Sequence, residues 1–240
     1  MKLEFLGRGG AFFVEEGNTS AFFIEDKTLF LIDCGETVFS KIVQTNLLAK
    51  NQIKEVFCFI THMHGDHVGS LSSLIYYCTY VDVANPIRFS VVCPEALTKE
   101  LYAMLKSQGC SGFFDFAPAG TLSGKYRSFS EVNFIWTVHQ GSHPAFCIEF
   151  TTDAGMVFYS GDTRDLELIR TYVQEVPDIE YMYLETTLLD YTGNAHLPLR
   201  ALDEIIPKDL RSKVYLMHFN NADCIKKAEE LGFQVVQCIQ

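Results

Sequence analysis

Residues 61–67 read Thr-His-Met-His-Gly-Asp-His, so four metal-ligand side chains, His62, His64, Asp66 and His67, fall within one short segment. Imidazole nitrogens and a carboxylate are the donors that suit zinc, with manganese or iron as alternatives. The alternation His62-Met63-His64 puts two imidazoles on one side of an extended chain. Gly65 eases the turn that brings Asp66 and His67 back to the same point. A solvated polar turn is the plain alternative, but such turns rarely carry three histidines. The spacing therefore predicts a metal site.

The segment follows the apolar run Val56-Phe57-Cys58-Phe59-Ile60, which reads as a buried strand. The same pattern recurs downstream. Phe134-Ile135-Trp136-Thr137-Val138 ends in His139, with His143 four residues on; Met156-Val157-Phe158-Tyr159-Ser160 runs into Gly161-Asp162-Thr163-Arg164; Val214-Tyr215-Leu216-Met217 ends in His218. The chain has seven histidines, and all but His196 lie at these strand ends. His62, His64, Asp66, His67, one of His139 or His143, Asp162 and His218 are more donors than one ion needs. They predict a dinuclear site with a bridging carboxylate, the arrangement of two-metal hydrolases. Lack of a convincing cysteine ligand points to an open catalytic site rather than a closed structural one.

Periodicity supplies the frame. Strands are expected at 3–6, 19–24, 29–32, 56–60, 132–138, 145–151, 156–160, 180–185, 214–217 and 233–236. Glu25-Asp26-Lys27 reads as a hairpin connection. Helices are expected at 68–76, 95–108, 166–175, 198–206 and 222–231, the second with Leu97, Leu101, Met104 and Leu105 on one face and Gly109 as its stop. Strands meander and then alternate with helices in both halves. This predicts one domain over residues 1–240: an α/β fold of αββα sandwich type, two packed mixed sheets with helices on the outer faces.

Composition agrees with a well-filled interior, 48% hydrophobic with 20 Phe and 11 Tyr in 240 residues. No apolar run is long enough for a membrane span, and Gly7 interrupts any secretory core. The eight cysteines form no CxxC pair and several sit in apolar runs, as buried reduced thiols do; a cytoplasmic protein is expected. A net charge of −11 argues against an extended nucleic-acid surface.

The 61–67 motif, Gly161-Asp162-Thr163-Arg164 and the late His218 resemble the metallo-β-lactamase superfamily over nearly the whole chain. Phe5-Leu6-Gly7 with Asn18-Thr19-Ser20, and Ile32-Asp33-Cys34-Gly35-Glu36-Thr37, are similar to the branch of the tRNA 3′-processing endonuclease Z. That branch implies phosphodiester chemistry. Glu185-Thr186-Thr187 followed by His196-Leu197-Pro198 looks like its phosphate-contacting pair, and resembles the His-Leu-x-Pro segment of class II cyclic-nucleotide phosphodiesterases. Carried over, His196 is the phosphate-binding general acid, Glu185 its supporting carboxylate, and Asp66 both holds a metal and orients the nucleophile. His143 and Arg164 are expected on the substrate side, His139 being preferred as third histidine ligand because it directly ends a strand.

No Gly- and Pro-rich RNA-gripping arm interrupts the metal motifs. The compact acidic chain is thus most similar to the phage anti-Pycsar enzymes and their bacterial relatives. The resemblance implies two Zn2+ ions and hydrolysis of cyclic CMP or UMP, or of cyclic AMP and GMP, to linear monophosphates, counteracting antiphage signalling in the host cytoplasm where the chain is phage-encoded. A tRNA-processing endonuclease and a lactonase are the competing readings. The aromatic residues around 76–80 and Phe113-Phe114-Asp115-Phe116 are expected to pack in the core, to bury in a symmetric homodimer, or to stack a base.

Overall fold

The computed structural model describes residues 1–176 and 178–240. Its first sheet has six strands in chain order: β1 (Glu4–Gly7), β2 (Ser20–Glu25), β3 (Thr28–Ile32), β4 (Glu55–Phe59), β5 (Arg88–Val92) and β6 (Asp115–Phe116). The first three are antiparallel and the rest join in parallel. The second sheet also has six: β7 (Glu131–Thr137), β8 (Ala145–Thr152), β9 (Gly155–Tyr159), β10 (Ile179–Glu185), β11 (Val214–Met217) and β12 (Gln234–Val235). Its pairing repeats the same sequence of two antiparallel and three parallel joints.

Parallel joints need crossovers, and helices supply them. In the first half these are α1 (Val38–Gln44), α2 (Leu47–Lys50), the single turn α3 (Gly65–Val68), α4 (Leu71–Tyr80) and α5 (Glu95–Ser107); in the second, α6 (Leu166–Glu175), α7 (Leu199–Ile205) and α8 (Ala222–Glu230). The side chains of β4 show why the result has four layers. Val56 and Cys58 face outward among Val38, Leu71, Leu97 and Leu101 of the helices, whereas Phe57 and Phe59 face inward. The inward layer is aromatic: Phe23 and Phe59 of the first sheet meet Phe150 of the second, with ring centroids 5.8 and 5.6 Å apart. Replacing one such buried ring by Ala costs about 3–5 kcal/mol. A third cluster packs α6, α7 and α8 on the outer face of the second sheet. This is the αββα sandwich that periodicity predicts.

Most elements lie within two residues of their expected positions. Two differences stand out. The helix expected at 68–76 runs instead from Leu71 to Tyr80, because residues 65–68 form a separate turn that carries Asp66 and His67. β5, which periodicity misses, is short, and Ser90 interrupts its apolar run. The eight cysteines are free thiols, six of them buried. Among the described residues no helix is long and apolar enough to cross a membrane. The parallel strands of both sheets end along one edge of the sandwich, and the polar residues gather there.

Candidate metal centre

The 61–67 segment is shaped by Asp33, the residue after β3. Its backbone is left-handed, at φ 60°, which turns the carboxylate back under the motif. Asp33 Oδ1 accepts from the Thr61 N–H at 2.9 Å, Oδ2 accepts from Thr61 Oγ1 at 2.8 Å, and the same Oδ2 meets His67 Nδ1 at 2.8 Å. One buried carboxylate thus grips both ends of the motif. The approach is close enough that a β-carbon at Gly35 would lie 1.9 Å from the Asp66 carbonyl oxygen, so only glycine serves there.

Two donor sets result. In the first, His62 Nε2, His64 Nδ1 and His139 Nε2 converge, with His64 Nδ1 3.1 Å from His62 and 3.2 Å from His139. In the second, His67 Nε2 lies 3.5 Å from Asp66 Oδ2, and His218 Nε2 lies 3.2 Å from the same oxygen. Asp162 belongs to both. Its Oδ1 is 3.3 Å from His67 and 3.4 Å from His218, while its Oδ2 is 3.9 Å from His62 and 3.8 Å from His139. Donors about 2.0–2.1 Å from a tetrahedral ion stand about 3.3 Å from one another, so these spacings fit a metal ion on each side of Asp162. His67 Nε2 and Asp162 Oδ1 are buried without a hydrogen-bond partner, which is costly unless a cation takes them up.

The remaining imidazole nitrogens are held in place. His62 Nδ1 meets Thr61 Oγ1 at 3.1 Å, and His139 Nδ1–H donates to the Ala195 carbonyl at 2.8 Å. Such partners fix the ring that presents its other nitrogen to a metal. His218 has a left-handed backbone, φ 56°, a strained conformation for a residue with a β-carbon. Protonation suits cation binding. Burial pushes His62 well below the usual histidine range, and burial takes His139 down to about 4 in spite of Asp162, leaving both neutral. Burial works against the charged forms of Asp66 and Asp162, but the surrounding imidazoles outweigh it and keep both carboxylates ionised.

Beside this cluster stands a third group. Glu185, buried at the end of β10, accepts from the Thr163 N–H at 2.7 Å and from His196 Nδ1 at 2.9 Å. Burial disfavours the charged imidazole, but the Glu185 carboxylate, through charge and hydrogen bond, outweighs it with help from Asp162 and raises His196 to about 9. His196 therefore holds a proton at neutral pH. Its Nδ1 is spent on Glu185, which leaves Nε2 for the cavity it lines.

That cavity, about 680 Å3, is floored by His64, Asp66, His139, Asp162, His196 and His218. No lysine or arginine lies among the described residues lining it. His143 is exposed, its ring 6.3 Å from that of His64, and lies outside both donor sets, whereas His139 stands in one of them with His62, His64 and Asp162. Arg164 also falls outside the cavity lining: it is exposed, and its backbone N–H donates to the Val138 carbonyl. Phe113 packs against Tyr76 and Tyr80 instead, at 5.7 and 5.6 Å, because β6 pairs at the far edge of the first sheet. Sequence reasoning gave Asp33 no role of its own, although it too follows an apolar strand. The Ala195 carbonyl and the cavity wall formed by residues 10–13 left no signal in residue type.

The model of the family described as anti-Pycsar protein Apyc1 matches residues 1–238 of this chain. The anti-Pycsar protein Apyc1 of Saccharibacillus brassicae is 27% identical over 231 residues, covering 91% of this chain and 90% of its own. That of Bacillus phage BSP38 is 27% identical over 253 residues, covering 97% and 94%. Among solved structures, the metallo-β-lactamase fold protein YhfI from Bacillus subtilis superposes with a TM-score of 0.72 at 16% identity, over 99% of this chain and 95% of that one.

Proposed function

The chain belongs to the anti-Pycsar protein Apyc1 family, a metal-dependent hydrolase on the metallo-β-lactamase fold, and from that premise we propose that it is a two-metal phosphodiesterase that opens cyclic mononucleotides to linear nucleoside monophosphates. The observation that carries this reading is Asp162, whose two oxygens face two separate donor sets while His196 waits, protonated, on the cavity side. Two divalent ions, zinc by donor type, would acidify a water to supply the nucleophile and offset the phosphate charge.

The chain's own residues do the rest. His62, His64 and His139 would hold one ion together with Asp162, and Asp66, His67 and His218 would hold the other, with Asp162 shared between them. Asp66 lines the cavity beside Asp162, where it would orient the attacking water. His196 Nε2–H can bond a phosphate oxygen and then pass its proton to the departing sugar oxygen, while Nδ1–H stays on Glu185. The absence of Lys and Arg from the described lining, with a net charge of −11, favours a small substrate bearing one phosphodiester over a long RNA. The test is to incubate zinc-loaded protein with cyclic AMP, CMP, GMP and UMP, precursor tRNA and a homoserine lactone. Ring opening of a cyclic mononucleotide, seen by 31P NMR, is expected; cleavage of precursor tRNA or lactone alone would overturn the reading.

A further inference from the structure

The histidines of the two donor sets are not all held in the same way. His62, His67 and His139 each turn one ring nitrogen toward the other donors while the second nitrogen meets a fixed partner: Thr61 Oγ1, Asp33 Oδ2 and the Ala195 carbonyl. Bonds of this kind set the angle of a ligand ring. His218 has no counterpart. Its Nδ1 makes no hydrogen bond among the described residues, and Glu185 Oε2 stands 4.0 Å away, beyond hydrogen-bond reach. Its Nε2 is nevertheless aimed at Asp66 Oδ2 and Asp162 Oδ1, 3.2 and 3.4 Å off.

Packing holds this ring instead. The His196 ring lies beside it, centroids 5.3 Å apart and planes 26° apart. Buried Gly10 touches it as well. A β-carbon at Gly10 would stand 3.0 Å from His218 Cε1, 3.3 Å from Nδ1 and 3.6 Å from Nε2, and these are its three nearest atoms. Carbon atoms in contact prefer about 3.5–4.0 Å, so the imidazole fills the space a side chain would take.

The backbone at Gly10 is pinned. The Phe219 N–H donates to the Arg8 carbonyl at 3.0 Å and the Gly10 N–H to the Phe219 carbonyl at 2.9 Å, which clips residues 8–10 to the residue after His218. Behind them the Gly9 N–H donates to the Gly17 carbonyl at 2.7 Å, and the Arg8 guanidinium bonds Glu16 Oε2 at 2.6 Å and the Val236 carbonyl at 3.0 Å. Gly10 is not among the glycines with a left-handed backbone, so conformational freedom is not what calls for glycine here. Its lack of a side chain is.

We propose that Gly10 is a positioning residue of the metal centre: its bare backbone takes the place of the missing hydrogen bond and sets the angle at which His218 faces Asp66 and Asp162. This rests on the two-metal reading of the site and is independent of the substrate. Added bulk at Gly10 weakens the ion of Asp66, His67 and His218 and leaves the ion of His62, His64 and His139 in place.

The experiment titrates zinc into the metal-free protein against a chromogenic chelator and locates the bound zinc by anomalous scattering from crystals. In Gly10→Ala, affinity on the His218 side should fall about 10–100-fold, the usual effect of disturbing what orients a ligand, with the other site unchanged. Arg8→Gln adds nothing beside the ring but removes anchors of the segment, so it should give a smaller loss on the same side; it also carries the test should Gly10→Ala fail to fold. Equal weakening of both sites in either variant, unchanged affinity on the His218 side, or a loss confined to the His62 side would overturn the proposal. If the unaltered protein takes up a single ion, the two-metal reading fails. The role of Gly10 then stands only if that ion lies against His218 and is weakened by Gly10→Ala, and otherwise falls with it.

Discussion

Asp33 and Asp162 stand at corresponding points of the two halves, each just past the third strand of a six-stranded sheet, and they do different work. Asp33 faces its own half, gripping Thr61 and His67. Asp162 faces across, with one oxygen toward each donor set. The surrounding donors differ in the same way. The first half supplies His62, His64, Asp66 and His67 from one loop after β4; the second supplies His139, Asp162 and His218 from the ends of three strands, and adds Glu185 and His196. One half thus presents a compact set of potential metal donors, and the other completes the set and adds the Glu185–His196 pair. On the proposed reading, a single strand plan serves once for metal capture and once for bridging and acid–base chemistry.

The sharpest way to break this contrast is Asp162→Ala. If Asp162 serves both ions, elemental analysis should show loss of both, and turnover should fall to background, since several kcal/mol of transition-state charge stabilisation goes with them. His196→Ala comes next. It should keep both metals and lower kcat by about 10²–10⁴-fold, the usual worth of a positioned general acid. Loss of metal in that variant would make His196 a ligand and undo its separate role. Asp33→Asn should have a smaller and one-sided effect: affinity for the ion held by His67 falls by about 10–100-fold, while the ion held by His62, His64 and His139 is retained, as metal titration would show. Equal weakening of both sites would mean that Asp33 supports the whole edge and not one ring.

Glu185→Gln should have the mildest effect at neutral pH, visible mainly in the pH profile. His196 is raised to about 9 by Glu185, so its protonated, active form persists below that pH and is lost as pH rises through it. Without the carboxylate the basic limb should move down toward about 6.5, the ordinary histidine value, with Gln Oε1 still accepting from the Thr163 N–H. A limb that stays near its original pH would show that Glu185 only packs.

The same contrast explains what could be read in the residues alone. The first-half donors are contiguous, so their chemistry is visible as a motif. His139, Asp162 and His218 are single residues, and only their recurrence at strand ends marks them. Asp33 carries the same mark but has no second donor nearby to draw attention to it; its role depends on a left-handed turn and a contact 34 residues away along the chain. The repeated strand plan is invisible because it lies in pairing order and not in residue type. Arg164 stands close in sequence to Asp162 yet falls outside the cavity lining.

On the proposed reading Asp162 joins two metal ions. Anomalous X-ray scattering from crystals of the zinc-loaded protein tests it directly. Two peaks about 3.5–4 Å apart, one on each side of the Asp162 carboxylate, are the expected result. A single peak, or two peaks of which only one is within bonding distance of Asp162, would contradict it.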